Sequence, residues 1–218
     1  WEFRWSIRPR EGLVLSDVRF QNRTVLKHAA LCEIFVPYAP GQPRPEDSLD
    51  GMGLNVAELI PGQDCLPGTT CNMLNADGKP EGKRYVGLHE ESAGLVYLGE
   101  KGRAYGKMLV IWCASRLGGY TYFIRWKFRD DGALMPDVGL TGKLEHTREG
   151  AASPYGTVVA RSGGKELFAP AHVHNFYYRL DFDIDGAAND GVEEFNYKQE
   201  EPNRSLAFRN SWTPLPKE

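Results

Sequence analysis

The chain has 218 residues, of which 41% are hydrophobic and 25% charged, and a formal net charge of −3. This is the composition of a folding domain rather than a disordered segment. It lacks the basic run that bulk attraction to nucleic acid or anionic lipid requires, and no apolar stretch approaches the roughly 20 residues of a membrane-spanning helix.

The chain opens at Trp1 with aromatic and charged residues in alternation, so no signal peptide is visible and the start reads as that of a mature or excised segment. Residues 12–20 then alternate in the manner of a half-buried strand, and further strand-like runs follow at 32–38, 94–98, 107–114, 119–128, 156–160 and 175–184. Turn residues punctuate them at 39–53, 61–82, 129–132 and 150–155. No amphipathic helix of normal length and no internal repeat occurs. With 24 glycines and 14 prolines, the pattern predicts an all-β fold, a β-sandwich spanning the whole chain, with residues 192–218 as a peripheral tail. Residues 39–82 are long for a plain connection, which suggests a functional loop.

The four cysteines divide by context. Cys65 and Cys71 flank a Pro-Gly loop and could bridge each other, whereas Cys32 and Cys113 lie in strand-like runs as expected of buried thiols. Sequons at Asn22-Arg-Thr24 and Asn203-Arg-Ser205, together with that loop pair, lean towards a secreted glycoprotein.

The residues suited to chemistry are few. His172 and His174 stand at i and i+2 on an extended segment, so both imidazoles point to one side, a start for a copper or zinc site that still lacks a third ligand. Asp181, Asp183 and Asp185 alternate, which makes an exposed polar face or a calcium site. Tyr120 follows Gly118-Gly119, two residues that leave room for backbone or a cofactor to come close. Read alone, Tyr120 is a strand residue, Tyr38 a strand end and Asp47 a turn carboxylate.

Their order along the chain is more specific. Gly12-Leu-Val-Leu-Ser-Asp-Val-Arg-Phe20, Glu33-Ile-Phe-Val-Pro-Tyr38, Asp47-Ser-Leu-Asp-Gly-Met-Gly53 and His89-Glu-Glu91 come first. Gly118-Gly-Tyr-Thr-Tyr122, Asp131-Gly132, Thr141-Gly142, His172-Val-His174 and Arg179-Leu-Asp-Phe-Asp-Ile-Asp-Gly186 follow. In this succession the chain resembles the catalytic domain of the copper-containing (topaquinone) amine oxidases, over its N-terminal portion. The resemblance implies oxidative deamination of a primary amine by oxygen to aldehyde, ammonia and hydrogen peroxide. It implies that Tyr120 is the precursor of topaquinone, that His172 and His174 are two of three copper ligands, and that Asp47 is the base that takes the substrate α-proton. Tyr38 would hydrogen-bond the quinone, and Asp181, the Phe182 carbonyl and Asp183 would form part of a calcium site. The chemistry is coherent: a quinone carbonyl captures a primary amine, a carboxylate serves as general base, and imidazoles suit copper.

The chain also departs from that family. Gly119 and Thr121 flank Tyr120 where the family has Asn and Asp or Glu. Val173 replaces Gln between the histidines, and Val86-Gly-Leu stands where a cysteine precedes the His-Glu-Glu segment. None of His28, His89 and His146 matches the third copper ligand. The resemblance therefore implies that a second chain or fragment completes the sandwich and supplies that histidine, and that the completed unit forms a homodimer. Two further readings fit the same residues: a non-catalytic relative with unmodified Tyr120 serving in binding, storage or structure, and a copper enzyme of different chemistry on the same scaffold.

Overall fold

A computed structural model describes residues 1–38, 47–65, 70–144, 156–184, 186, 193–200 and 207–214. The described elements are strands, apart from one short 3₁₀ turn at Asp47–Asp50: β1 (Glu2–Arg8), β2 (Gly12–Phe20), β3 (Arg23–Phe35), β4 (Cys71–Leu74), β5 (Val86–Gly99), β6 (Gly102–Leu117), β7 (Tyr120–Arg129), β8 (Leu134–Gly142), β9 (Gly156–Ser162), β10 (Lys165–Pro170), β11 (Asn175–Phe182), β12 (Glu193–Glu200) and β13 (Ala207–Pro214). Two antiparallel sheets, β1-β2-β3-β11 and β4-β5-β6-β7-β8, make the β-sandwich. The hairpins β9-β10 and β12-β13 stand as two-stranded sheets of their own.

The core follows from the period-two geometry of strands, which sends alternate side chains to opposite faces. Strand β7 reads Tyr-Thr-Tyr-Phe-Ile-Arg-Trp-Lys-Phe-Arg, and its odd members, Tyr120, Tyr122, Ile124, Trp126 and Phe128, are all buried. They meet Leu13, Leu15 and Val18 of β2 and Leu26, Ala29 and Leu31 of β3 across the sandwich. The neighbouring strand β6 is buried on both faces. Ile111, Cys113 and Leu117 join the main core, while Val110, Trp112 and Ala114 pack with Leu59 and Met73 on the far side. That second cluster is roofed by the long loop: Ala57 and Arg116 exchange backbone bonds with Ala114 and Asn55 at 2.7 and 2.9 Å. The described parts of that segment, residues 47–65 and 70–82, therefore form a structured wall, with β4 inside it.

Several expectations change. The opening residues form β1, and Trp1 just before it with Phe3, Trp5 and Ile7 of the strand pack against the core. Phe3 stacks on Phe128 at 4.4 Å, and the Trp1 indole donates to the Arg129 carbonyl at 2.6 Å. The run at 32–38 is the end of a 13-residue strand that stops at Phe35, and Tyr38 instead makes an isolated bridge to His172. The run at 94–98 lies inside a 14-residue strand with register shifts at Ser92/Gly94 and Leu95/Tyr97. Within the 192–218 tail, β12 and β13 pair with each other. Cys113 is buried as expected. Cys32 is only half-buried, and its thiol donates to the Tyr177 carbonyl at 3.2 Å.

Trp126→Ala removes the largest fully buried side chain of the core and should cost about 3–5 kcal/mol. Lys127→Ala, on the opposite face beside Asp137, should cost no more than ~1 kcal/mol. Urea unfolding midpoints of the two variants check the difference.

Candidate metal and tyrosine site

The site lies at the start of β7. Leu117 and Tyr120 are paired in register, so Gly118 and Gly119 form a two-residue hairpin turn, with Gly118 at a φ of 56°. Such turns demand positive φ, which explains glycine there. Gly119 has a second reason: a Cβ at that position would lie 2.9 Å from the Lys143 carbonyl oxygen. The space left at Gly119 is thus filled by the backbone just after β8, where the Lys143 N–H donates to the Gly119 carbonyl at 2.9 Å.

Beyond the turn, Tyr120 and Tyr122 point inward. Tyr120 is 8% exposed and Tyr122 fully buried. The histidines reach them from the other side, between β10 and β11. The Tyr120 hydroxyl lies 2.8 Å from His172 Nε2, and the Tyr122 hydroxyl 3.0 Å from His174 Nδ1. The two imidazoles are 5.0 Å apart between centroids, and the Tyr120 ring is 5.9 Å from His172 and 5.0 Å from His174. Tyr38 stacks on His172 at 4.5 Å with an interplanar angle of 15°. Four residues that the sequence links only by order, Tyr38, Tyr120, His172 and His174, therefore meet in one place.

The hydrogen bonds fix one tautomer. His172 Nδ1 is 3.0 Å from the Pro170 carbonyl, an acceptor only, so Nδ1 carries the proton. Nε2 then accepts from the Tyr120 hydroxyl. An imidazole whose outer nitrogen donates to a backbone carbonyl, leaving the inner one as a lone pair, is the usual arrangement of a metal-ligating histidine. The donor set fits copper: two imidazoles side by side, with a phenol against Nε2 of one of them. Among the described residues, no group of three or more His, Cys, Asp or Glu side chains is placed to hold a metal.

The remaining candidates are placed differently. Asp47 opens the 3₁₀ turn, but its side chain lies outside the described residues. The turn is anchored by the buried Ser48 hydroxyl, which donates to Glu33. At the far end of β11, Asp181 is opposite His28, and Asp183 is paired with the Lys27 ammonium at 3.1 Å. A lysine thus occupies the position next to Asp183, and Phe182 is exposed. Asp185 lies outside the described residues. Thr121, the neighbour of Tyr120, points to the opposite face of the sheet. There it lines a cavity of about 510 Å³ with Thr141, Phe123, Arg116 and the His89–Glu91 pair, whose Nε2 and Oε1 are 2.9 Å apart. Sequence reasoning missed Tyr122 and the Pro170 carbonyl. The matched i, i+2 spacing of Tyr120/Tyr122 and His172/His174 is the signal that could have found the first.

A sequence model described as "Copper amine oxidase, enzyme domain" matches residues 1–217. The chain belongs to the copper amine oxidase family. It is 29% identical to a peroxisomal copper-containing diamine oxidase of Nicotiana tabacum, over 97% of this chain and 30% of that protein. It is 30% identical to a primary amine oxidase of Arthrobacter sp., over 93% and 34% of the respective chains. A copper-containing benzylamine oxidase from Hansenula polymorpha has a similar fold, with a TM-score of 0.78 and 25% identity, covering 99% of this chain and 37% of that one. The chain thus spans about a third of the length of these relatives.

Beside the cavity, Cys65 and Cys71 are thiols in hydrogen-bonding contact rather than a disulfide, and burial together with that contact pushes the Cys71 thiol up to about 12. Complete burial raises Cys113 to about 12 as well. Because the reactive thiolate forms only as pH nears these raised values, iodoacetamide at pH 8 should leave Cys71 and Cys113 unmodified in the folded, reduced protein. Both should be alkylated after unfolding in denaturant, as read by peptide mass.

Proposed function

We propose that this chain is the N-terminal portion of a catalytic domain that oxidises a primary amine with oxygen to an aldehyde, ammonia and hydrogen peroxide. The carrying observation is the Tyr120 hydroxyl 2.8 Å from His172 Nε2, with His174 and Tyr38 packed around the pair. When bound, copper would supply the oxygen chemistry and topaquinone derived from Tyr120 the carbonyl electrophile for the amine. His172 and His174 would hold the metal through Nε2. The Pro170 carbonyl keeps the proton of His172 on Nδ1, away from the ligating nitrogen. Tyr38, stacked on His172, would donate a hydrogen bond to the oxidised ring and limit its rotation. Asp47 would take the α-proton of the bound substrate as general base.

Two imidazoles alone leave a copper site short of ligands, so a second chain or fragment that completes the sandwich would bring a third histidine to the metal. Homodimerisation of the completed unit is supported by the exposed Leu95, Val96, Tyr97 and Leu98 near the tip of the β5–β6 hairpin, with Tyr105 across it, an apolar strip that a second copy would cover. A secreted, glycosylated protein is supported by Asn22, exposed in the β2–β3 turn, and by a Cys65–Cys71 pair already in contact. Calcium at Asp181, Phe182 and Asp183 would have to displace Lys27 from Asp183. A second reading, a non-catalytic relative with unmodified Tyr120, is favoured by Thr121 facing away from the histidines.

Incubation of the protein, together with the chain or fragment that completes its metal site, with copper(II) in air separates the readings. Oxidation of Tyr120 should give a visible quinone band, a phenylhydrazine adduct and a mass increase on the Tyr120 peptide, all lost in Tyr120→Phe. A colourless protein with an unmodified Tyr120 peptide contradicts the amine oxidase reading, and one equivalent of copper without quinone favours a copper enzyme of different chemistry.

A further inference from the structure

We propose that Tyr122 is a positioning residue of the metal site, its hydroxyl fixing the ring of His174 so that Nε2 faces the metal. The inference rests on the reading that His172 and His174 hold copper. The two histidines are held by different means. His172 lies in a backbone bridge to Tyr38, and its Nδ1 donates to the Pro170 carbonyl at 3.0 Å. His174 follows the exposed Val173 on a stretch without strand pairing, one residue before β11 begins. The orientation of its ring therefore depends on side-chain contacts. Tyr122 supplies one at 3.0 Å, from hydroxyl to Nδ1.

Tyr122 is suited to hold a fixed position. It is fully buried, paired in register with Ser115 and Leu140 in the middle of a five-stranded sheet, and packed edge-on against Phe176 at 6.2 Å. A metal on Nε2 leaves the proton of His174 on Nδ1, where it donates to the Tyr122 oxygen. Such outer partners set ring orientation and ligand basicity, and removing one typically weakens metal binding by about 10–100-fold. Tyr122 does for His174 what the Pro170 carbonyl does for His172, but with a side chain that can be changed by mutation.

The test compares wild-type protein, assembled with the chain or fragment that completes its metal site, with Tyr122→Phe and with Tyr178→Phe, a tyrosine packed on Trp126 away from the histidines. Copper(II) affinity is measured by titration against a competing chelator, the copper environment by its EPR hyperfine splitting, and folding by thermal unfolding without metal. Tyr122→Phe should unfold cooperatively, bind copper about 10–100-fold more weakly and show an altered hyperfine splitting, while Tyr178→Phe matches wild type. Equal affinity and identical spectra in Tyr122→Phe would overturn the inference and leave the copper site standing. A wild-type chain that takes up no copper would overturn both. If Tyr122→Phe does not fold, zinc-loaded wild type decides: a slowly exchanging Nδ1–H resonance of His174 supports the inference, and its absence overturns it.

Discussion

The packing of one face of β7 against the opposite sheet is the constraint on which the site depends. Strands allow no intermediate orientation: a side chain faces the core or the far side of its own sheet, and a shift of one residue would exchange every inward residue for its outward neighbour. Ile124, Trp126 and Phe128 hold that register because all three are buried against β2 and β3. Once they are fixed, Tyr120 and Tyr122 must face inward too, at the end of the strand where the inter-sheet space meets the segment between β10 and β11. Phenols and imidazoles then meet through the same period-two spacing on both sides, each pair separated by 52 residues in sequence.

The same register accounts for the departures around Tyr120. Gly119 stands in a hairpin turn against the Lys143 carbonyl, so a larger side chain there would require the end of β8 to move. Thr121 belongs to the other face of the sheet and lines the cavity with His89 and Glu91. Neither residue contributes a polar group beside the Tyr120 ring. What orients that ring in this chain is the hydrogen bond to His172 and the aromatic enclosure by Tyr122 and His174. Under the proposed function, orientation of Tyr120 by His172 would tie the phenol to the metal site directly.

Much of the sandwich was legible from alternation alone, most clearly in β7, where every second residue is buried and its neighbours are not. Strand β1 was not, because its aromatic residues make sense only against Phe128 and Phe20, more than a hundred and nearly twenty residues away. Short strands such as β4, and β8 with its two glycines and a proline, carry too little pattern to stand out from turns. For the site, the histidine pair and Tyr120 could be singled out by residue type and order. Their contact could not, since it depends on how two sheets close over one another. Tyr38 shows the limit well: it looks like the end of a strand, yet it lies three residues past β3 and stacks on His172. Lys27 beside Asp183 is likewise a cross-strand fact, set by the pairing of β3 with β11.

The most direct test of the account is a crystal structure of the copper-loaded chain with anomalous data collected at the copper edge. The account predicts a single strong peak within about 2.0–2.1 Å of Nε2 of both His172 and His174, beside the Tyr120 ring. A peak at other residues, or well-ordered histidines with no copper between them after loading, would contradict it.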